Sequence, residues 1–185
     1  MAQPELSTRL PIPIATSSLL QIPTIIPLLP PTQTIGILTF DATRLNSKHL
    51  TQLNIPPSLA STIPIIGCPS PGALRSVIRD GKPYVHEVLE AELVACAKEL
   101  VKRFPNVGAI VLECTQMPPF AEAVARETRL MVFDVVSLGR WFYGGLVRRG
   151  FAEWTEREVA EAGVVRERGT GERVESAVGV GAGGV

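Results

Sequence analysis

A cysteine at the end of an apolar run is the residue of this chain best suited by type and position to do chemistry. Residues 108–112 read GAIVL, and Glu113, Cys114 and Thr115 follow directly, before two prolines and a helix-like segment. Such a run is typical of a strand buried on both faces. Polar residues at its carboxyl end lie where open α/β sheets bind ligands, and nearby backbone amides and a helix amino end favour a thiolate there. The alternative is an inert thiol that fills the core, since cysteine is among the most often buried residues.

The other thiols and the two histidines give weaker chemical signals. Cys96 shares helical spacing with Leu93 and Leu100, which predicts core packing. Cys68 follows a second predicted strand, and we expect it to pack within a loop. His49 and His86 lack partners at ligand spacing and are expected at the surface. Three cysteines and two histidines without paired spacing predict neither a zinc site nor a disulfide framework, so no metal is expected.

The composition narrows the class of protein. The chain has 185 residues, of which 18 are basic and 18 acidic, so its formal net charge is zero. Without a basic stripe, a nucleic-acid partner is not expected. Free thiols fit a reducing compartment, which predicts a cytoplasmic location.

One long uncharged segment resembles a membrane span only in its hydropathy. Residues 10–40 carry no charged side chain, but the segment contains six prolines, at positions 11, 13, 23, 27, 30 and 31. That many interior prolines are incompatible with a spanning helix, and the pattern of a secretory signal is absent. We therefore expect no membrane partner, and an irregular segment that buries itself against apolar neighbours.

Strand and helix patterns alternate after this segment. The predicted strands cover residues 35–40, 62–67, 109–113 and 130–133. The predicted helices cover residues 47–53, 73–80, 85–103 and 118–128, with a last helix from Val135. Such alternation predicts an α/β fold with a small four-stranded parallel sheet flanked by helices. Three regions follow: a proline-rich apolar connector over 1–33, an α/β lobe over 34–150, and a short helix with a disordered glycine-rich tail over 151–185.

Several separated motifs together resemble a known enzyme family. They are residues 16–21 (TSSLLQ), 35–42 (IGILTFDA), 108–115 (GAIVLECT) with 117–119 (MPP), and 133–135 (FDV) with 141–143 (WFY). In this order they resemble the aspartate/glutamate racemase superfamily, which includes hydantoin racemases, maleate isomerases and arylmalonate decarboxylases. The resemblance implies two similar α/β lobes with the active site between them and no cofactor. One cysteine from each lobe would act on the proton beside the carboxylate of a small substrate.

The resemblance also assigns residues. Cys114 is similar to the cysteine of the second lobe, and Thr115 to the neighbouring hydroxyl that helps hold the substrate carboxylate. The other substrate-facing hydroxyls that the resemblance implies are Thr39, Thr43, Thr16 and Ser17.

The departure from the family pattern lies at the amino end. Only 13 residues precede Ile14, and no cysteine precedes Cys68, so the chain resembles the second lobe and its connector without the first. We therefore expect residues 1–31 to expose an apolar surface that takes either a second copy of the chain or a missing-lobe partner.

Three functional hypotheses follow. The first is a cofactor-independent amino-acid racemase or isomerase that uses a cysteine for α-proton transfer. The second is a decarboxylase of the same superfamily, which needs a single cysteine. The third is a catalytically inactive half-protein that serves as a binding or interaction module.

Overall fold

A four-stranded, all-parallel sheet organises the chain. The computed structural model describes residues 2–147, and the predicted short helix and glycine-rich tail over 151–185 lie outside the described residues. The strands are β1 (Thr34–Thr39), β2 (Ile65–Gly67), β3 (Val107–Leu112) and β4 (Met131–Phe133), in the order β2-β1-β3-β4. All three pairings are parallel. The predicted α/β fold with a small parallel sheet is confirmed.

Helices cover both faces of the sheet. They are α1 (Gln3–Arg9), α2 (Ile22–Ile25), α3 (Ser47–Thr51), α4 (Pro57–Ala60), α5 (Ala73–Asp80), α6 (His86–Arg103), α7 (Ala121–Thr128) and α8 (Val135–Leu146). Short 3-10 turns lie at Ser18–Gln21, Ile26–Leu28 and Pro118–Phe120. Among residues 2–147 no helix is both long enough and apolar enough to cross a bilayer.

One face of the sheet, here called the connector face, is covered by the proline-rich segment together with α3 and α4. Leu19, Ile22 and Ile25 of the connector are almost fully buried and pack in one core with Ile37 and Val111 of the central strands. The uncharged segment therefore finds apolar neighbours within its own chain. Few large apolar side chains of this segment are exposed to solvent. They are Leu10, Ile12 and Leu28.

The opposite face, here called the helix face, carries the longer helices α5, α6 and α7. Leu93, Cys96 and Leu100 of α6 are buried against the other side of β1 and β3, as helical spacing predicts. α6 approaches β1 very closely, because a Cβ placed on Gly36 would lie 2.6 Å from Leu100 Cδ2. Only a glycine allows this contact between strand and helix.

The main departures from the predicted elements involve proline. The structure forms α2 around Pro23 and begins α4 at Pro57, two helices that the sequence analysis did not predict. Proline is tolerated in the first turn of a helix, where its missing N–H would have no helical partner. At the edge strand β2, by contrast, Pro64 lies just before the first residue, where a sheet accommodates proline.

Candidate active site at the carboxyl edge of the sheet

The candidate ligand site of this fold lies between the carboxyl ends of β1 and β3. The two strands are neighbours, but the chain leaves β1 towards β2 on one side and leaves β3 towards β4 on the other. Such a reversal of strand order opens a crevice beyond the carboxyl ends of the strands, where open α/β sheets bind ligands. Thr39 ends β1, and Glu113, Cys114 and Thr115 follow β3.

A carboxylate is fixed at this crevice. The backbone N–H of Glu113 donates to the Leu38 carbonyl at 2.8 Å, which extends the pairing of β1 and β3 by one step. The Thr39 hydroxyl donates to Glu113 Oε2, also at 2.8 Å. Within residues 2–147 no lysine, arginine or histidine forms an ion pair with this half-buried carboxylate. Glu113 therefore lies at the crevice without a cationic partner among the described residues.

Glu113 and Thr115 open into a cleft of about 320 Å³ on the connector face. Its other lining residues are Ala2, Thr16, Ser17, Ser18 and Val135. The Ser18 hydroxyl donates to the Leu112 carbonyl at 2.9 Å, which ties the connector to the end of β3. Ser17 Oγ accepts from the Leu19 N–H at 3.2 Å and so begins the first 3-10 turn. The structure thus brings Thr16, Ser17 and Thr115, three of the predicted substrate-facing hydroxyls, to one cleft.

The hydroxyls of Thr16 and Ser17 differ in what they can still do. Thr16 donates both its N–H and its hydroxyl to Gln3 Oε1, at 3.0 and 2.8 Å, so its hydrogen is already used. Ser17 uses only the oxygen lone pair in its contact with Leu19, so its hydroxyl hydrogen can point towards a ligand. Of the two connector hydroxyls, Ser17 is the better donor to a ligand.

Cys114 lies at the same strand end but on the other side. Side chains alternate along a strand, and the half-buried Cys114 packs with the core of the helix face rather than lining the cleft. Burial raises the pKa of its thiol above the ordinary value of 9.0, the nearby Glu113 carboxylate raises it further, and the Gln116 backbone N–H only partly compensates. The expectation that helix and amide dipoles would favour the thiolate is therefore wrong, because desolvation outweighs them.

Thr43 belongs to a separate, arginine-rich cluster. Its hydroxyl donates to Asp41 Oδ1 at 2.6 Å, and this bond is the main reason that the pKa of Asp41 lies below its usual value. Arg75, Arg44 and Arg79 approach the same carboxylate at 3.5, 3.7 and 3.9 Å. The structure therefore places Thr43 with Asp41 and not in the cleft of Glu113.

The remaining thiols lie apart from the cleft. Cys68 and Cys96 are free and buried in the helix-face core, and the neighbouring Cys96 thiol together with burial raises the pKa of Cys68. Cys68 packs in the loop after β2, as expected, and donates its backbone N–H to the Thr39 carbonyl at 3.0 Å.

Neither histidine lines the cleft. His49 forms a capping box with Asn46 at the start of α3. His86, the first residue of α6, lies near Glu90 of the same helix and near Tyr84, which precedes the helix. Throughout the described ranges, no three histidine, cysteine, aspartate or glutamate side chains come together as metal ligands do.

The contacts of Ser18 and Gln3, and the position of Glu113 in the cleft, were not predicted from the sequence. Glu113 and Thr115 share a face of the chain because they are two residues apart at a strand end. This spacing is visible in the sequence. The contacts of Ser18 with Leu112 and of Gln3 with Thr16 have no local sequence signal, because they join residues 94 and 13 positions apart.

Comparison with known proteins points to one activity. No protein-family model matches the chain. A dimethylsulfoniopropionate lyase of Durusdinium sp. clade D is 28% identical over 148 residues, which cover 77% of this chain and 48% of that protein. Dimethylsulfoniopropionate lyase 7 of Emiliania huxleyi (strain CCMP1516) is 28% identical over 152 residues, which cover 77% and 44%. Dimethylsulfoniopropionate lyase 5 of the same organism is 32% identical over 94 residues, which cover 51% of this chain and 18% of that protein. The chain spans about half the length of the first two relatives.

These relatives correct the functional interpretation of the sequence. They are named as lyases and not as aspartate/glutamate racemases, so the family resemblance drawn from the motifs is wrong. The predicted racemase or isomerase activity is wrong for the same reason, although the relatives too are named as enzymes. The chain is similar to proteins named for breaking down a sulfonium carboxylate.

Proposed function

We propose that this chain is a lyase that eliminates dimethyl sulfide from dimethylsulfoniopropionate. The observation that carries the proposal is the similarity, over 77% of the chain, to two proteins named for that activity. Because the chain spans about half the length of those relatives, the activity of the whole relative is a proposal for this chain.

The reaction needs one base and no second proton donor. A base removes a proton from the carbon beside the carboxylate, and the C–H electron pair becomes the new carbon–carbon double bond. The bond between the next carbon and sulfur breaks, its electrons stay on sulfur, and dimethyl sulfide leaves as a neutral molecule. Acrylate remains, and the base holds the proton. One thiol is sufficient for this reaction, whereas racemisation needs a group on each face of the carbon.

Cys114 is the proposed base. It is a free thiol, half-buried at the end of β3, beside the crevice where the strand order reverses. Its pKa is raised by burial, so the thiolate is scarce at neutral pH but is a stronger base once formed. A substrate bound across the end of β3 would present its carbon to Cys114 from the neighbouring cleft.

The hydroxyls of the cleft are the proposed ligands of the substrate carboxylate. Thr115 is exposed, and Ser17 has a hydroxyl hydrogen that its contact with Leu19 does not use. Both line the same cleft as Glu113. Hydrogen bonds to the carboxylate would strengthen as negative charge builds up on it during proton removal. Thr39 acts in this proposal through Glu113, to which its hydroxyl donates.

The exposed part of the connector remains the proposed association surface. Leu10, Ile12 and Leu28 lie outside the core, within residues 1–31. We propose that a second copy of the chain or a complementary lobe covers these side chains.

Turnover by the intact chain tests the proposed activity. The full chain is incubated with dimethylsulfoniopropionate, dimethyl sulfide is measured in the headspace by gas chromatography, and acrylate is measured in solution. We expect the two products in equal amounts, above a protein-free blank at the same pH. Release no faster than the blank would contradict the proposal and would favour a binding module.

A further inference from the structure

We propose that the Glu113 carboxylate is the binding site for the positively charged sulfonium group of the substrate. The inference rests on the proposed function and deepens it. It names the group that would distinguish the sulfonium substrate from an analogue whose sulfur carries no charge. Nothing in the sequence motifs or in the names of the relatives assigns this role to Glu113.

The described residues that line the cleft carry one negative charge and no positive one. Glu113 is the one acidic residue among the residues that line it, and the others are three hydroxyl residues of the connector, Thr115, and the apolar Ala2 and Val135. Among the described residues no cationic side chain pairs with Glu113. A carboxylate without a cationic partner can attract a cation that enters the cleft.

Glu113 is held in place by two hydrogen bonds. The Thr39 hydroxyl fixes Oε2 at 2.8 Å, and the Glu113 N–H is bound to the Leu38 carbonyl at 2.8 Å. Oε1 accepts no hydrogen bond from the described residues, and Glu113 lines the cleft. A carboxylate fixed by its neighbours loses little side-chain entropy when a ligand binds. Thr39 is therefore a positioning residue for Glu113.

The chemistry of the ligand also fits the cleft. A sulfonium carries a positive charge but no N–H or O–H, so it is recognised by an anion or by the face of an aromatic ring, and its methyl groups need apolar neighbours. No aromatic residue is among the described residues that line the cleft. The cleft offers the Glu113 oxygen together with Ala2 and Val135. Its volume of about 320 Å³ lies at the small end of ligand pockets. The hydroxyl side of the cleft is then free for the carboxylate at the other end of the substrate.

Binding of two ligands of nearly the same shape tests the inference. Dimethylsulfoniopropionate is compared with 3-(methylthio)propionate, which has the same carboxylate but an uncharged thioether sulfur. Both are titrated by calorimetry into the full chain that carries Cys114→Ala, so that neither is consumed. We expect the sulfonium to bind about tenfold more tightly than the thioether, and Glu113→Gln to remove that preference. Glu122→Gln, at an exposed position on α7, is the matched control and should keep the preference.

Each outcome decides the matter. A sulfonium preference that survives Glu113→Gln overturns the inference, and so does the absence of any preference in the parent chain. Thr39→Val should weaken the preference for the sulfonium in part and leave binding of the thioether unchanged. A purely structural role of Thr39 would weaken the binding of both ligands equally. The proposed function fails separately: a chain that shows the preference but releases no dimethyl sulfide retains the cation site and loses the lyase assignment.

Discussion

The two faces of the sheet meet at three consecutive residues and differ in what they offer there. On the connector face, Glu113 and Thr115 open into a polar cleft built from short turns. On the helix face, Cys114 packs against the dense core of α5, α6 and α7. The proposed binding groups and the candidate base therefore lie on opposite faces, because side chains alternate at one strand end. Substitutions can test the two proposed roles separately.

The faces also differ in how they are built. The helix face uses regular elements, and α6 alone runs for 18 residues. The connector face uses turns of three or four residues whose apolar side chains still reach the core. Short turns have little stability of their own, so the cleft depends on the burial of Leu19, Ile22 and Ile25.

The largest expected effect comes from the helix-face side of the site. Replacing Cys114 with alanine removes the proposed base, so the rate of dimethyl sulfide release should fall by ~10²–10⁴-fold. The matched control is Cys96→Ala, at a buried thiol of α6, which should leave the rate close to that of the parent chain. Initial rates measured by gas chromatography at one pH compare the two. Equal losses in both variants would mean that the thiol acts through packing.

A smaller effect is expected from the core of the connector face. Leu19 is fully buried, so Leu19→Ala should lower the free energy of unfolding by ~2–5 kcal/mol. Leu28 lies in the same segment but is 67% exposed, and Leu28→Ala should change that free energy by less than about 0.5 kcal/mol. Urea denaturation followed by circular dichroism measures both. Similar values for the two variants would show that the connector does not pack as described.

The smallest effect is a shift along the pH axis. The thiolate is the active form in the proposed mechanism, and the pKa of Cys114 is raised above 9.0. The rate should therefore climb with pH and level off only above that value. Glu113→Gln removes a negative neighbour that raises this pKa, so the inflection should move to lower pH. Rates at saturating substrate are corrected for the protein-free reaction at each pH. A profile that is flat from neutral to alkaline pH would argue against a thiolate base.

The fold was largely predictable, because its signals are local. The predicted helix over 73–80 has the observed bounds of α5, and the predicted long helix differs from α6 by one residue. Both carry apolar spacing that needs no knowledge of the rest of the chain. The connector turns were missed because prolines mask their helical character, and they form only when their apolar side chains are buried.

The site was predictable only in part. The strand-end position of Cys114 followed from the apolar run before it, but the contact between Thr39 and Glu113 depends on β1 and β3 being neighbours. No local pattern fixes that strand order. The reaction class was wrong for a chemical reason: a group that removes a proton beside a carboxylate needs similar surroundings whether reprotonation or loss of a leaving group follows.

Alkylation of the intact chain by iodoacetamide, with each cysteine followed by mass spectrometry, tests the role of Cys114 most directly. Cys114 is half-buried whereas Cys68 and Cys96 are buried, so we expect Cys114 to react first. Dimethyl sulfide release should be lost in step with its modification, and dimethylsulfoniopropionate should slow both. A fully alkylated Cys114 in a chain that still releases dimethyl sulfide at the parent rate would contradict the account.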